Sequence, residues 1–111
     1  MADPNTAVIQ GTLDMLILKT LSLEPMHAYG IARRVEQVSG GVFRVNAGSL
    51  LTALQRLERA GSVDGAWRES PRGRRARYYR LTRAGHKQLD AATADWRRRA
   101  SAVARLLNAE G

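Results

Sequence analysis

Arg72, Arg74 and Arg75 crowd into one short stretch, with Arg68, Arg77 and Arg80 on either side of it. Guanidinium groups at that density do one kind of chemistry well: they hold anionic oxygens through planar, forked N–H donors. Asp64 and Glu69 are the only acids in residues 62–81, so this segment carries +4 of a total formal charge of +8. A second set, Asn46, Gly48, Ser49, Thr52, Gln55 and Arg56, falls at helical spacing and mixes hydroxyl, amide and guanidinium donors with small residues. Small residues let a backbone come close to a nucleic-acid groove, and the polar groups can then bond base edges or phosphates. A solvated helix face is the plainer reading of the same pattern.

Other chemistry has little to stand on. His27 and His86 are the only histidines and belong to separate predicted helices; cysteine is absent altogether. No carboxylates sit at metal-ligand spacing, and Gly30 and Gly40-Gly41 do not form a phosphate-binding loop. The expectation is therefore no catalytic residue, no metal and no cofactor. His27, at a helix start near Tyr29, reads as a structural hydrogen-bonding group.

Composition agrees with a binding protein. The 111 residues suffice for one modest core, and 44% hydrophobic with 25% charged residues is globular composition. Eighteen Lys and Arg against ten Asp and Glu, with a pI near 11.2, make a polyanion the expected partner. Sixteen of those cations are Arg, which suits phosphate or guanine contacts and equally suits a GC-rich genome. The apolar stretch Leu13 to Leu23 contains Asp14 and Lys19 and is too short and polar to span a bilayer, so no membrane partner is expected. The opening Met1-Ala2-Asp3-Pro4-Asn5 lacks the basic start of a secretory signal, which predicts a cytoplasmic protein.

The elements that would position these residues follow from hydrophobic period. Val8, Ile9, Leu13, Leu16, Ile17 and Leu21 predict a helix over 6–23, capped by Asn5 or Thr6 and stopped at Glu24-Pro25. Tyr29, Ile31, Ala32, Val35 and Val38 predict a second over 27–38, ended by Ser39-Gly40-Gly41. Val42 to Val45 is an apolar connector with the character of a short strand. A third helix fits 47–60, with Asn46 as cap and Gly61 as stop. Leu50, Leu54 and Leu57 form its core face, with Gly48, Thr52, Gln55 and Arg59 opposite and Ser49 and Arg56 on the flanks. Val63, Gly65 and Trp67, then Ala76 to Leu81, read as two strands around the turn Ser70-Pro71-Arg72-Gly73-Arg74. Tyr78 and Tyr79 point to opposite faces, so only one can enter the core. Thr82 caps a last helix reaching about residue 108, roughly 40 Å at 1.5 Å per residue.

This order predicts a mainly α fold with a small β-hairpin: a winged helix-turn-helix over 1–81 and a long C-terminal dimerisation helix over 82–111. In such a plan the third helix enters a major groove and the ribbon lies alongside. The cations Arg72, Arg74, Arg75 and Arg77 are then expected to contact phosphates, and Asn46, Gly48, Ser49, Thr52, Gln55 and Arg56 to set register and read bases. Leu89, Ala92, Trp96, Val103 and Leu106 follow a 3-4 spacing, interrupted by Arg99, on a helix that overhangs so small a core. A homodimer is the economical explanation, placing two recognition helices about 34 Å apart along DNA. Trp96 reads as a dimer-core aromatic or as the wall of a flat, apolar ligand pocket between subunits, the first being favoured. Two rivals stand beside double-stranded DNA binding. A basic RNA-binding protein would want more stacking surface than six aromatics supply. A protein-interaction module would leave the clustered wing arginines unexplained.

Four blocks, in order, carry a resemblance: Gly11-Thr12-Leu13-Asp14-Met15-Leu16-Ile17-Leu18; Pro25-Met26-His27-Ala28-Tyr29-Gly30-Ile31; Gly48-Ser49-Leu50 with Ala53-Leu54-Gln55-Arg56-Leu57-Glu58; and Gly73-Arg74-Arg75-Ala76-Arg77-Tyr78-Tyr79-Arg80-Leu81-Thr82. Over residues 11 to about 107 the chain resembles the PadR family of bacterial transcriptional regulators, in its small class with one C-terminal helix. The resemblance implies a homodimeric winged-helix repressor of transcription and a small aromatic or hydrophobic effector near the dimer interface, at Trp96. Three departures from the family pattern stand out. Ala28 replaces a usual Gly, and Leu51-Thr52 replace Tyr-Pro on the third helix, which separates this chain's operator from those of its relatives. Ser62 replaces a bulky apolar residue before the wing, which predicts a looser hinge there.

Overall fold

A computed structural model describes residues 12–110. Four helices and a three-stranded sheet follow in the order α1 (Leu13–Leu23), β1 (Met26–His27), α2 (Ala28–Val38), α3 (Ala47–Arg59), β2 (Val63–Glu69), β3 (Arg75–Leu81) and α4 (Arg83–Leu107). The expected start of the first helix, with Asn5, Thr6, Val8 and Ile9, lies outside the described residues.

Much of the core lies where the helical period placed it, but Tyr29 and Val38, expected on the apolar side of the second helix, are 68% and 77% exposed, and Leu18 joins the core instead. Ile17 and Leu18 of α1, Ile31 of α2 and Leu54 of α3 are completely buried, with Leu50 and Leu57 beside them. Val63 and Tyr79 close the cluster from the sheet and Leu89 from α4. Helices α2, α3 and α4 each start on a side-chain oxygen or nitrogen that takes an otherwise unpaired amide. Asn46 Oδ1 accepts from Ser49 N at 3.1 Å, and Thr82 Oγ1 accepts from Gly85 N at 3.1 Å. His27 Nδ1 accepts from Gly30 N at 2.9 Å, the structural role expected of that histidine.

Two local expectations need correction. His27 does not begin the second helix; with Met26 it forms β1, a third strand that pairs antiparallel with β3, Met26 opposite Tyr79 and His27 opposite Tyr78. Two residues show no alternation, so no periodicity argument could find this strand; the partner β3 defines it. Val42 to Val45 is irregular chain rather than a strand, because no sheet edge lies beside it to pair with. The β2–β3 ladder runs from Val63 opposite Leu81 to Glu69 opposite Arg75. Tyr79 points into the core and Tyr78 to the outer face, where Arg68 stacks on its ring at 4.2 Å.

The base of this hairpin is tightly tied. Gly61, at φ +80°, ends α3 in the left-handed conformation that glycine adopts without steric penalty, and Ser62 N donates to Leu57 O at 2.9 Å. Ser62 does not loosen the hinge. It is buried, its hydroxyl donates to Gln88 Oε1 at 2.5 Å, and its carbonyl accepts from Thr82 N at 3.1 Å. Gly85 of α4 passes so close that a Cβ there would collide with the Ser62 carbonyl oxygen and the Leu81 side chain. Gly85→Ala is therefore expected to cost about 1–3 kcal/mol, as overpacking against backbone does. Urea unfolding of the variant would show it as a lowered midpoint at unchanged slope, and an unchanged midpoint would refute the close contact.

Candidate nucleic-acid interface

Helix α3 is bounded differently on each of its sides. Leu50, Ala53, Leu54 and Leu57 face the core. On the opposite side Gly48, Thr52, Gln55 and Arg59 form an exposed ridge. Asn46 sits at the start of that ridge and spends its side-chain oxygen on the cap, with Ser49 half-buried beside it. The helix thus offers small residues, one hydroxyl and one amide in a row at its leading end, the surface that can enter a groove closely.

The two flanks carry ion pairs that spacing alone did not reveal. Towards α1, Arg56 Nη1 and Nη2 donate to Asp14 Oδ2 and Oδ1 at 2.5 and 2.9 Å, a forked pair. The hydrogen bond to Asp14, then its charge, raises the Arg56 pKa above the ordinary arginine value. Towards the wing, Arg77 Nη2 donates to Glu58 Oε2. Arg56 and Arg77, expected to contact DNA, are thus each paired with a carboxylate, and neither Asp14 nor Glu58 stood among the expected site residues. Asp14 and Arg56 lie 42 positions apart, so only the packing of α1 across α3 brings them together.

The ribbon also has two unlike faces. Val63, Gly65 and Trp67 of β2 share the inner face with Leu81, Tyr79, Arg77 and Arg75 of β3. Trp67 is 58% exposed, and Arg75 and Arg77 approach its ring at 5.7 and 5.9 Å. The outer face gathers Ala66, Arg68, Tyr78 and His27. At the tip, Gly73 N donates to Ser70 O at 2.9 Å and Ser70 N to Arg74 O at 2.6 Å, closing the turn that carries Arg72 and Arg74. Among the described residues no carboxylate pairs with Arg72, Arg74 or Arg75. Between wing, α2 and α3 lies a cleft of about 470 Å³ lined in part by Tyr29, Leu51, Arg75 and Ala76. Leu51, 46% exposed, faces this cleft.

The last helix divides in two. Leu89 was expected in a dimer seam, but it is 7% exposed within the protomer and belongs to the core. Ala92 is half-buried, whereas Trp96, Val103 and Leu106 are 46%, 53% and 77% exposed. Among the described residues no helix is long and apolar enough to cross a membrane, and no group of three His, Cys, Asp or Glu could hold a metal ion.

Three short helices, a capped third helix with an exposed polar ridge and a basic two-stranded ribbon beside it define a winged helix-turn-helix protein. The chain belongs to the PadR-like family of transcriptional regulators, whose family model matches residues 17–91. It is similar to a PadR-like transcriptional regulator from Bacillus cereus, with a TM-score of 0.82 at 27% identity over 94% of this chain and 99% of that one. A PadR family regulator from Eggerthella lenta matches at a TM-score of 0.79 and 27% identity, over 95% and 89% of the two chains. An uncharacterized protein of Lysinibacillus sphaericus is 25% identical over 89 residues, 80% of this chain and 82% of its own. Membership in this family makes the chain a DNA-binding regulator of transcription.

Asn46 tests whether the leading end of α3 depends on its cap. Asn46→Ala should destabilise the protein by about 1 kcal/mol and raise the exchange rate of the Ser49 amide in hydrogen-exchange measurements. Unchanged protection at Ser49 would show that the cap does not hold that turn.

Proposed function

We propose that this chain is a cytoplasmic, homodimeric, sequence-specific repressor, released from DNA by a small hydrophobic effector. One observation carries the DNA-binding half of the reading: the exposed ridge of α3 lies beside a wing whose Arg72, Arg74 and Arg75 have no carboxylate partner among the described residues. In this reading those three arginines bind phosphates. Gly48, Ser49, Thr52 and Gln55 read base edges and set register, with Asn46 holding the helix start. Leu51 faces the cleft beside the wing, where an apolar side chain suits a thymine methyl or a sugar. Arg56, forked on Asp14, borders the ridge.

The dimer rests on α4. Its 25 residues give about 37 Å at 1.5 Å per residue, and the whole chain extends 60 Å along its longest axis against 31 and 24 Å across. Only the first turns are used by the protomer core, through Gly85 and Leu89. Beyond them Trp96, Val103 and Leu106 leave apolar surface that a second copy would cover. Trp96 is the residue of this seam best suited to stack a flat effector. The domain limits follow: the DNA-binding unit ends with β3 at Leu81, and α4 is the dimerisation arm.

The test is fluorescence anisotropy on the duplex upstream of the chain's own gene and on a scrambled duplex, at two or more salt concentrations. Arg74→Ala should weaken binding to both duplexes and flatten the log–log salt slope by about one; an unchanged slope removes Arg74 from the phosphate contacts. Thr52→Ala should change preference between sequences, and an equal loss on both duplexes would defeat its base-reading role. Val103→Asp with Leu106→Asp should convert a dimer to a monomer in analytical ultracentrifugation without lowering the monomer's helix content. A mass unaffected by both substitutions would place the interface elsewhere.

A further inference from the structure

Gly65 stands in the middle of β2, where a residue without a side chain weakens a strand and usually marks a close approach by another group. The group that approaches is Arg77. A Cβ on Gly65 would fall 2.6 Å from Arg77 Nε and 2.8 Å from its Cζ and Nη2, so the guanidinium rests against bare strand backbone. The rings of Trp67 and Tyr79 each lie 5.9 Å from Arg77 Cζ. From this seat Nη2 reaches Glu58 Oε2 on the wing-side flank of α3. The Arg77 pKa is raised, first by this hydrogen bond. Among the described residues this is the one side-chain ion pair that joins α3 to the ribbon.

We propose that Arg77 is a positioning residue and not a phosphate contact: seated on Gly65 and paired with Glu58, it sets the angle of the wing to the recognition helix. The inference rests on the DNA-binding reading above. An isolated two-stranded ribbon is marginally ordered and free to rock. Here the core holds its base and β1 pairs with β3 at Tyr78 and Tyr79, and Arg77 adds the one side-chain ion pair from β3 to α3 among the described residues. Sequence-specific affinity needs the ridge and the wing tip to meet one duplex together, which depends on that angle being preset. Non-specific affinity needs only charge near phosphate. If Arg77 swung out to a phosphate it would exchange one anionic partner for another and strand Glu58, so the swing gains little.

Arg77→Lys, Arg77→Ala, Glu58→Gln and Gly65→Ala separate the roles. The alanine methyl at Gly65 displaces only the end of a flexible side chain, so that variant folds while evicting the guanidinium. Salt-titrated anisotropy on a selected operator and on random duplex, with thermal melts of each variant, is the measurement. Arg77→Lys, Glu58→Gln and Gly65→Ala should each lose roughly tenfold or more in operator affinity, with melting temperature and random-duplex affinity near wild type. Arg77→Ala should leave the salt slope unchanged. Wild-type operator affinity in Arg77→Lys, or a slope lowered by about one in Arg77→Ala, would make Arg77 a phosphate contact and overturn the proposal. Parallel losses on both duplexes in all variants would overturn it as well. Absence of duplex binding by the wild type would instead sink the DNA-binding reading. The positioning role would then be read from ¹⁵N relaxation of residues 67–77, which must become more mobile in Arg77→Lys and Glu58→Gln; unchanged order parameters would reject it.

Discussion

The passage of Gly85 beneath the Ser62 carbonyl fixes what surrounds the core. At this point the end of α3, the start of β2, the end of β3 and the start of α4 come within hydrogen-bonding reach of one another. The Thr82 hydroxyl lies 2.6 Å from Gly61 O and 3.0 Å from Ser62 O, and it accepts from Gly85 N. The Ser62 hydroxyl reaches Gln88 one turn further along α4. A side chain on Gly85 would push α4 away from the hairpin base. The departure of α4 and the root of the wing are therefore held by one cluster of short contacts rather than by their own lengths, both of which extend well past the core. A helix-length lever amplifies small errors at its root, which is why the root is built from backbone carbonyls, two hydroxyls and a glycine with little freedom to shift.

The charge of the chain is divided by the same logic of position. Counted from the sequence, every arginine near the third helix is a candidate for phosphate. In the fold, Arg56 is forked on Asp14 and Arg77 is joined to Glu58, while Arg80 lies near Asp64 at 3.3 Å. Ion pairs this exposed add little to stability. Two of them act on geometry, holding a neighbouring element against α3: Asp14 from α1, Arg77 from the wing. Arg72, Arg74 and Arg75, without a carboxylate partner among the described residues, lie at or beside the tip of the ribbon.

How far the sequence could be read follows from which interactions have a period. Helices announced themselves because Leu50, Leu54 and Leu57, or Ile17 and Leu21, must share a face to be buried. Asn46, Gly61 and Thr82 marked helix ends because caps are local, within three or four residues. Tyr79 in the core and Tyr78 outside follow from strand alternation once the direction of one is known. The parts that stayed hidden are non-local: a two-residue β1 exists only because β3 offers it an edge, and Asp14–Arg56 and Glu58–Arg77 link elements whose separation in sequence carries no spacing rule. Leu89 illustrates the limit from the other side. Its 3-4 spacing with Ala92 and Trp96 is correct, yet one continuous stripe serves two masters, the protomer core at its root and open surface beyond.

Gly65 did carry a legible signal, since a glycine amid β-forming residues asks what needs the space. The answer required the register, which sets Gly65 opposite Tyr79 and Trp67 opposite Arg77, and so leaves the Arg77 side chain free to lean back over the missing Cβ. The departures at Leu51 and Thr52 belong to the same side of the problem. Leu51 turns towards the wing and Thr52 towards the ridge, so the two changes act on different surfaces: one alters the lining of the cleft between helix and ribbon, the other the polar row that would face bases. Both positions lie on exposed faces of α3, beside a core face of Leu50, Ala53, Leu54 and Leu57 and an Asn46 cap that neither of them touches.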